Sequence, residues 1–340
     1  MWLKNCWYVA AFSSEIGRNL LARTLLDVRV VMYRTADGRP VALADKCPHR
    51  GVPLSLGKLI DDTVRCTYHG LRIDPTGQCV RIPCQEQIPS AAKVSSFPVV
   101  DRYKFTWIWL GDPQKANPDL IPDVHWMDDP AWTACSGYTL TQANYQLFND
   151  NLLDLSHESF LHERTIGNEA VAEAPATSTA DEYEVRVHRK MPNCEPPPFY
   201  VKVTGFTTRI NRWHTTIFKP PSYCLVENGS YPVDGTPAQA LERRVMNLIT
   251  PETLTSSHYF WGVARHYSLD DAELTEFIRH QTHQTFQEDE AMLQEQQRSL
   301  GEASGTAFPV ALKTDVGPIQ ARRLLARLIA EELSVAKSET

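Results

Sequence analysis

The chain has 340 residues, 42% hydrophobic and 22% charged, with a net charge of −7. That length suits two domains, each able to bury a core. The acidic balance excludes a general affinity for nucleic acid, and no stretch approaches the apolar length of a membrane span. The opening MWLKNCWYVAAF is too briefly apolar for a secretory signal, so a cytoplasmic location is expected. Eight cysteines over this length are too sparse for a disulfide scaffold.

Leu25 to about Val100 reads as short strands broken by Asp-Gly, Pro-Thr-Gly and repeated Pro, the pattern of a small antiparallel β domain. KFTWIWLGDP closes it, and the Pro-spaced link that follows carries the boundary, giving domains 1–115 and 116–340. In the second domain, Tyr145, Phe148, Leu152 and Leu155 recur at helical spacing and predict a helix from Tyr145 to His162. Strands are expected in EYEVRVHRK, FYVKVTGF, TTIFKP, YCLVEN, RRVMNLITPE and SSHYFWGVARHY. Helices are expected over Asp271–Leu300 and from Pro318 to about Leu333. The fold class is α+β: an all-β N-terminal domain, then an antiparallel sheet with helices in a helix-grip-like arrangement.

Two Cys/His pairs stand out: Cys47-Pro48-His49 and Cys66-Thr67-Tyr68-His69, with sixteen residues between them. A [2Fe–2S] cluster held by two Cys on one iron and two His on the other needs two loops, each offering one sulfur and one imidazole. A structural Cys₂His₂ zinc site uses the same ligand types but usually pairs Cys with Cys and His with His. Here each loop mixes the two, and Gly51, Pro53, Gly57 and Gly70 suit tight loops, so the cluster is the preferred reading. Cys79 and Cys84 are then left as core thiols.

Asn151, Asp154 and His157 follow at i, i+3 and i+6, which places them on one edge of a continuous helix. His162 lies five residues beyond His157, and a straight helix would turn their side chains roughly 140° apart. Both reach one metal only if the helix ends or bulges between them. Two His and one carboxylate form the facial triad used for O₂ activation at non-haem Fe(II). The carboxylate is chosen by periodicity: Ile278, Thr282, Thr285, Asp289 and Met292 or Leu293 form one stripe, turning Asp289 inward and Glu288 and Glu290 aside. The bland alternative makes all three hydrogen-bonded core residues. Asp154 and Asn151 weigh against it, because an acid beside an imidazole is the partner that fixes a ligand's tautomer.

With these residues in view, the chain resembles the Rieske non-haem iron oxygenases of the vanillate O-demethylase type, nearly end to end. The resemblance is carried by NCWYVAA, CPHRGVPLSLGKL, CTYHGL, WIWLGDP, NLLDLSHESFLH, ITPET with SSHYFWGVAR, EDEAML and GPIQARRLLARL. It implies that Cys47, His49, Cys66 and His69 hold one [2Fe–2S] cluster and that His157, His162 and Asp289 hold one mononuclear Fe(II). It also implies a homotrimer in which Asp154 bridges His69 of one subunit and His157 of the next. The reaction implied is monooxygenation of a small aromatic substrate by O₂, such as O-demethylation of a methoxybenzoate with loss of formaldehyde. No glycine-rich nucleotide fingerprint is present, so a separate NADH-dependent reductase with flavin and a [2Fe–2S] centre is the expected partner.

For substrate contacts the candidates are Asn247, His258 and Trp261, with Phe206, Trp213, Tyr223 and Tyr259 also on expected strands. Asn247 is the first choice, although a relative of this family carries His there. Methyl hydroxylation or cis-dihydroxylation of another aryl carboxylate or sulfonate is the alternative reaction. Outside the class, a Rieske-ferredoxin electron carrier predicts about a hundred residues and no second metal, and a zinc-binding module predicts no reaction with O₂.

Overall fold

The computed structural model describes residues 1–301 and 310–338. It divides into two compact units, Trp2–Ile121 and Pro122–Thr340.

The first unit is all β among its longer elements. One sheet joins Trp7–Phe12, Phe105–Trp109 and Val99–Arg102; a second joins Leu21–Leu25, Val28–Arg34, Pro40–Ala44 and Ser96–Phe97. A third, of very short strands, runs Lys58–Ile60, Thr63–Arg65, Arg72–Ile73 and Cys79–Arg81. A core of Val31, Tyr33, Leu43, Leu54, Val64 and Ile73 packs beneath the two Cys/His loops, and Cys47, Cys66 and Cys79 belong to it. Cys84 does not: it is exposed, with φ +60° in the two-residue turn between the bridged residues Ile82 and Gln85. It is expected to be a core thiol because the four-ligand set is complete without it, but the turn points it to solvent.

The second unit is built on a seven-stranded, fully antiparallel sheet. Its spatial order is Thr133–Thr141, Ser256–Arg265, Leu241–Thr253, Tyr223–Pro232, Ile210–Lys219, Val185–Cys194 and Ala176–Ala180. Helices α1 (Tyr145–Leu153), α2 (Glu158–Leu161), α3 (Glu169–Glu173), α4 (Pro198–Thr204), α5 (Ala272–Leu300) and α6 (Val316–Ser338) complete it. α1 packs on the three central strands 210–219, 223–232 and 241–253, α5 on strand 133–141, and α6 on strands 176–180 and 185–194. No described helix is long and apolar enough to cross a membrane.

Two expected elements differ. FYVKVTGF is not a strand, because Pro198 sits in the first turn of α4 and Gly205, at φ +74°, ends it. Phe199, Tyr200 and Val203 are buried on one side of that turn, so tertiary packing outweighs the β preference of the two valines. The helix expected over Tyr145–His162 is broken at Asp154, whose backbone leaves the helical region at φ −120°, ψ 84°. The Asp154 carboxylate accepts a hydrogen bond from the Ser156 N–H at 3.0 Å and caps a new turn, as a short acidic side chain does at a helix start.

Candidate metal centres and substrate cavity

In the first unit the two Cys/His loops are closed in the same way. The Cys47 N–H donates to the Val52 carbonyl at 2.8 Å and Gly51 N–H to the Cys47 carbonyl at 2.9 Å. Likewise Cys66 N–H donates to Leu71 at 2.8 Å and Gly70 N–H to Cys66 at 3.1 Å. Each turn needs a left-handed residue four places after its cysteine, and glycine supplies it, Gly51 at φ +70° and Gly70 at φ +75°. The equivalent loops bury both cysteines, and the His49 and His69 rings face each other with centroids 4.5 Å apart. Two buried sulfurs opposite two accessible imidazoles on matched loops fit the donor set of a Cys₂His₂-ligated [2Fe–2S] cluster.

The second unit carries the other constellation. The break at Asp154 sends the chain through a single 3₁₀ turn, Leu155–His157, before α2, and His162 ends α2 with non-helical φ −111°. The irregularity needed to bring the two imidazoles together thus lies at both ends of α2, not only between them. Their ring centroids are 5.2 Å apart. Asp289 of α5 meets both: its Oδ1 lies 3.4 Å from His157 Nε2 and 3.2 Å from His162 Nε2. The three donor atoms lie within 4.8 Å of one another.

The opposite edge of each imidazole is already engaged. His157 Nδ1 donates to the Asp154 backbone carbonyl at 2.6 Å, and His162 Nδ1 to the Glu288 carboxylate at 2.6 Å. Both hydrogen bonds leave Nε2 as the nitrogen that could face a metal. Asn151 Nδ2 donates to Asp289 Oδ1 at 3.0 Å and orients the carboxylate. Burial opposes ionisation of Asp289, yet the hydrogen bonds and charges of both imidazoles hold it well below the usual carboxylate range. Burial likewise opposes a charge on His162, but Asp289 and then Glu288 outweigh it and lift the imidazole to about 9. A divalent cation in place of those protons keeps the charge balance of the trio, so the donor set fits Fe(II).

Two assignments change in detail. Asp154 fixes the His157 tautomer through its backbone carbonyl; its carboxylate caps Ser156 and lies 3.8 Å from Arg189 Nη2. Glu288, set aside by periodicity, is partly exposed and still reaches His162, because a long side chain at the margin of a stripe bends back toward it. Glu290 remains off the site, paired with Thr141.

Beside the triad is a cavity of about 100 Å³, partly open to solvent. Leu152, Val226, Val245, Val263 and Phe286 supply apolar wall, and Asn247 lies among them. The Asn247 amide donates to the Cys224 carbonyl at 3.0 Å and accepts from the Tyr259 hydroxyl at 2.7 Å. His258 and Trp261 do not line this cavity. His258 bonds Tyr138 at 2.9 Å, while Trp261 packs edge-on against Phe286 behind the wall. Phe206, Trp213 and Tyr223 also lie elsewhere: Trp213 against Tyr231, and Tyr223 with its hydroxyl donating to the Asp123 carbonyl. The buried polar residues Glu158, Arg212, His214, Asn228 and Arg243 do line it. For Arg243 alone the sequence held a signal, its alternation with Val245 and Asn247 on one face of a strand.

Comparison with known proteins agrees with both centres. The Rieske [2Fe-2S] domain family matches residues 6–98, and the vanillate O-demethylase oxygenase C-terminal domain family matches 141–331. The chain is 39% identical to the iron-sulfur subunit of the toluene-4-sulfonate monooxygenase system of Comamonas testosteroni, covering 98% of each chain. It is 37% identical to a vanillate O-demethylase oxygenase subunit from a Pseudomonas species, over 99% of this chain and 97% of that one. Dicamba monooxygenase bound to 3,6-dichlorosalicylic acid superposes with a TM-score of 0.91 at 34% identity, covering 98% and 99% of the two chains. The same enzyme with non-heme iron and dicamba gives a TM-score of 0.84. With two family matches in this order and two donor sets that fit, the chain belongs to the Rieske non-haem iron oxygenases related to vanillate O-demethylase, as a terminal oxygenase with one [2Fe–2S] cluster and one mononuclear iron.

Proposed function

We propose that this oxygenase acts on a small aryl acid and removes an O-methyl group from a vanillate-like methoxybenzoate, releasing formaldehyde. The observation that carries the reading is the largely apolar cavity set directly against His157, His162 and Asp289. In this reading the ring lies against the valine wall and Phe286, with its methyl group turned toward the triad. Balanced, the reaction takes the methyl ether, O₂, two electrons and two protons to the phenol, formaldehyde and water.

In this reading Cys47, His49, Cys66 and His69 hold the cluster, and His157, His162 and Asp289 hold the iron. When bound, the two centres supply electrons and an open coordination position for O₂. The chain's own groups orient them: the Asp154 carbonyl and Glu288 fix the two imidazoles, and Asn151 steadies Asp289. Asp154, whose backbone carbonyl holds His157, keeps 21% of its side-chain surface accessible, and in this reading its carboxylate reaches His69 of a neighbouring subunit in a homotrimer. Electrons come from NADH through a separate reductase with flavin and a [2Fe–2S] centre, in keeping with relatives named as subunits or components of larger systems.

A second reading is favoured by two relatives named for toluene-4-sulfonate, at 39% and 40% identity. It is hydroxylation, at a methyl group or on the ring, of an aryl sulfonate or carboxylate. Formaldehyde release and O₂ uptake by the iron-loaded protein with a reductase and NADH, across methoxybenzoates, toluenesulfonate and unsubstituted aryl acids, separate the two. Formaldehyde equal to the O₂ consumed supports demethylation; O₂ consumed without formaldehyde supports hydroxylation.

A further inference from the structure

The sheet face that floors the cavity carries an unusual row. His214 pairs across the strands with Asn228, and Asn228 with Arg243, so three polar side chains stand side by side on one surface. Directly opposed residues on a sheet are within bonding reach, and Arg243 uses it: its Nε and Nη2 donate to Asn228 Oδ1 at 3.1 and 2.9 Å. Its Nη1 is buried and has no hydrogen-bond partner. The residue as a whole is only 4% exposed and lines the cavity.

The charges around it do not balance. Among the described residues no carboxylate lies within ion-pair distance of Arg243; its one polar partner is a neutral amide. Glu158, the nearby buried acid, is committed to Arg212 at 2.8 Å. Burial, then the Arg212, Arg189 and Arg243 guanidiniums, push the His214 imidazole well below its usual range, so it offers no anion either. Tyr200 and Phe199 cover the guanidinium, with its central carbon 4.5 and 4.9 Å from the ring centroids. A buried cation with an idle donor is costly unless something pairs with it.

Its place in the cavity indicates what that partner is. Phe199, over Arg243, stacks on Phe277 of α5, whereas Tyr259, bonded to Asn247, packs on Phe286. Phe277 and Phe286 are nine residues apart, about 13 Å along a helix, and Asp289 lies just beyond Phe286. Arg243 therefore occupies the end of the cavity remote from the triad, and Asn247 the near end. The Asn247 amide donors are already spent on the Cys224 and Val245 carbonyls.

We infer that Arg243 is the anchor for the anionic group of the substrate, its Nη1 donating to a carboxylate or sulfonate at the end of the cavity opposite His157, His162 and Asp289. The inference rests on the aryl-acid reading above and adds the residue that selects for the acid. An Arg at that position gives a charge-assisted hydrogen bond in a desolvated site, where the discrimination between an anion and a neutral group of the same shape is large. Held there, the ring presents its other end to the triad.

The test is binding, measured by calorimetry on the metal-loaded protein without O₂ or reductant. The probes are 4-methoxybenzoate and 4-toluenesulfonate, with the neutral counterparts 4-methoxybenzamide and methyl 4-tolyl sulfone. The wild-type protein is expected to bind at least one anion about tenfold or more tightly than its counterpart, the scale of a charge-assisted bond. Arg243→Gln removes that preference and leaves the neutral probe within about twofold, while Arg243→Lys keeps part of it. Equal wild-type affinity for charged and neutral probes, or a preference that survives Arg243→Gln, overturns the assignment and leaves Arg243 a packing residue. If Arg243→Gln does not fold, Arg243→Lys decides: a preference reduced below that of the wild type supports the assignment, and an unchanged preference overturns it. Cluster absorbance and O₂ uptake report separately on the oxygenase reading, so either can fail without the other.

Discussion

The two metal-binding regions solve the same problem on different length scales. The cluster loops are local: each turn is closed by its own backbone hydrogen bonds, Cys47 to Val52 and Cys66 to Leu71, with a glycine at the one left-handed position. The triad is assembled from afar, with Asp289 on α5 meeting His157 and His162 more than a hundred residues earlier in the chain. A locally closed loop advertises its ligands in sequence spacing, whereas a site assembled across a fold hides the residues that orient it.

The sharpest way to break this comparison is at Asp154, whose backbone carbonyl holds His157 and whose carboxylate carries the proposed bridge to a neighbouring subunit. Its backbone carbonyl fixes His157, and no side-chain substitution touches that bond. Asp154→Asn is therefore expected to keep both metals yet lose most turnover, read from iron content and O₂ uptake on the same sample. Normal turnover would contradict the proposed bridging role of the carboxylate.

Glu288 gives the next largest effect. Glu288→Ala leaves His162 Nδ1 without its acceptor, and loss of such a partner costs about 10–100-fold in metal affinity or activity. Chelator competition measures it, with the cluster absorbance unchanged. At the local site the expected effect is smaller and falls on stability. Gly70→Ala puts a side chain at φ +75° with Pro83 only 3.0 Å away, costing about 1–2 kcal/mol in thermal or denaturant unfolding. A cost no greater than that of an exposed glycine in open space would mean that the loop is not held as described.

The same contrast explains what the sequence made legible. The mixed Cys/His loops, the inward turn of Asp289 and the antiparallel sheet follow from spacing and period, and all are found. The break at Asp154 was not visible, because an Asp inside an apolar stripe looks like a helix residue until its side chain is seen capping Ser156. FYVKVTGF misled for the opposite reason, its valines favouring a strand while the proline before it and Gly205 after it enforced a helical turn. Glu288 was discarded because periodicity gives the direction of a Cβ, not the reach of a long side chain. The cavity row of His214, Asn228 and Arg243 depends on cross-strand register, which no single strand records.

The central claim, two separate iron centres on one chain, is tested most directly by counting iron and acid-labile sulfide in the wild-type protein beside Asp289→Ala and Cys66→Ser. The account predicts about three irons to two sulfides in the wild type, two to two with the Rieske spectrum intact in Asp289→Ala, and one mononuclear iron with little sulfide in Cys66→Ser. Three irons retained in Asp289→Ala, or loss of the cluster along with the mononuclear iron in that variant, would contradict it.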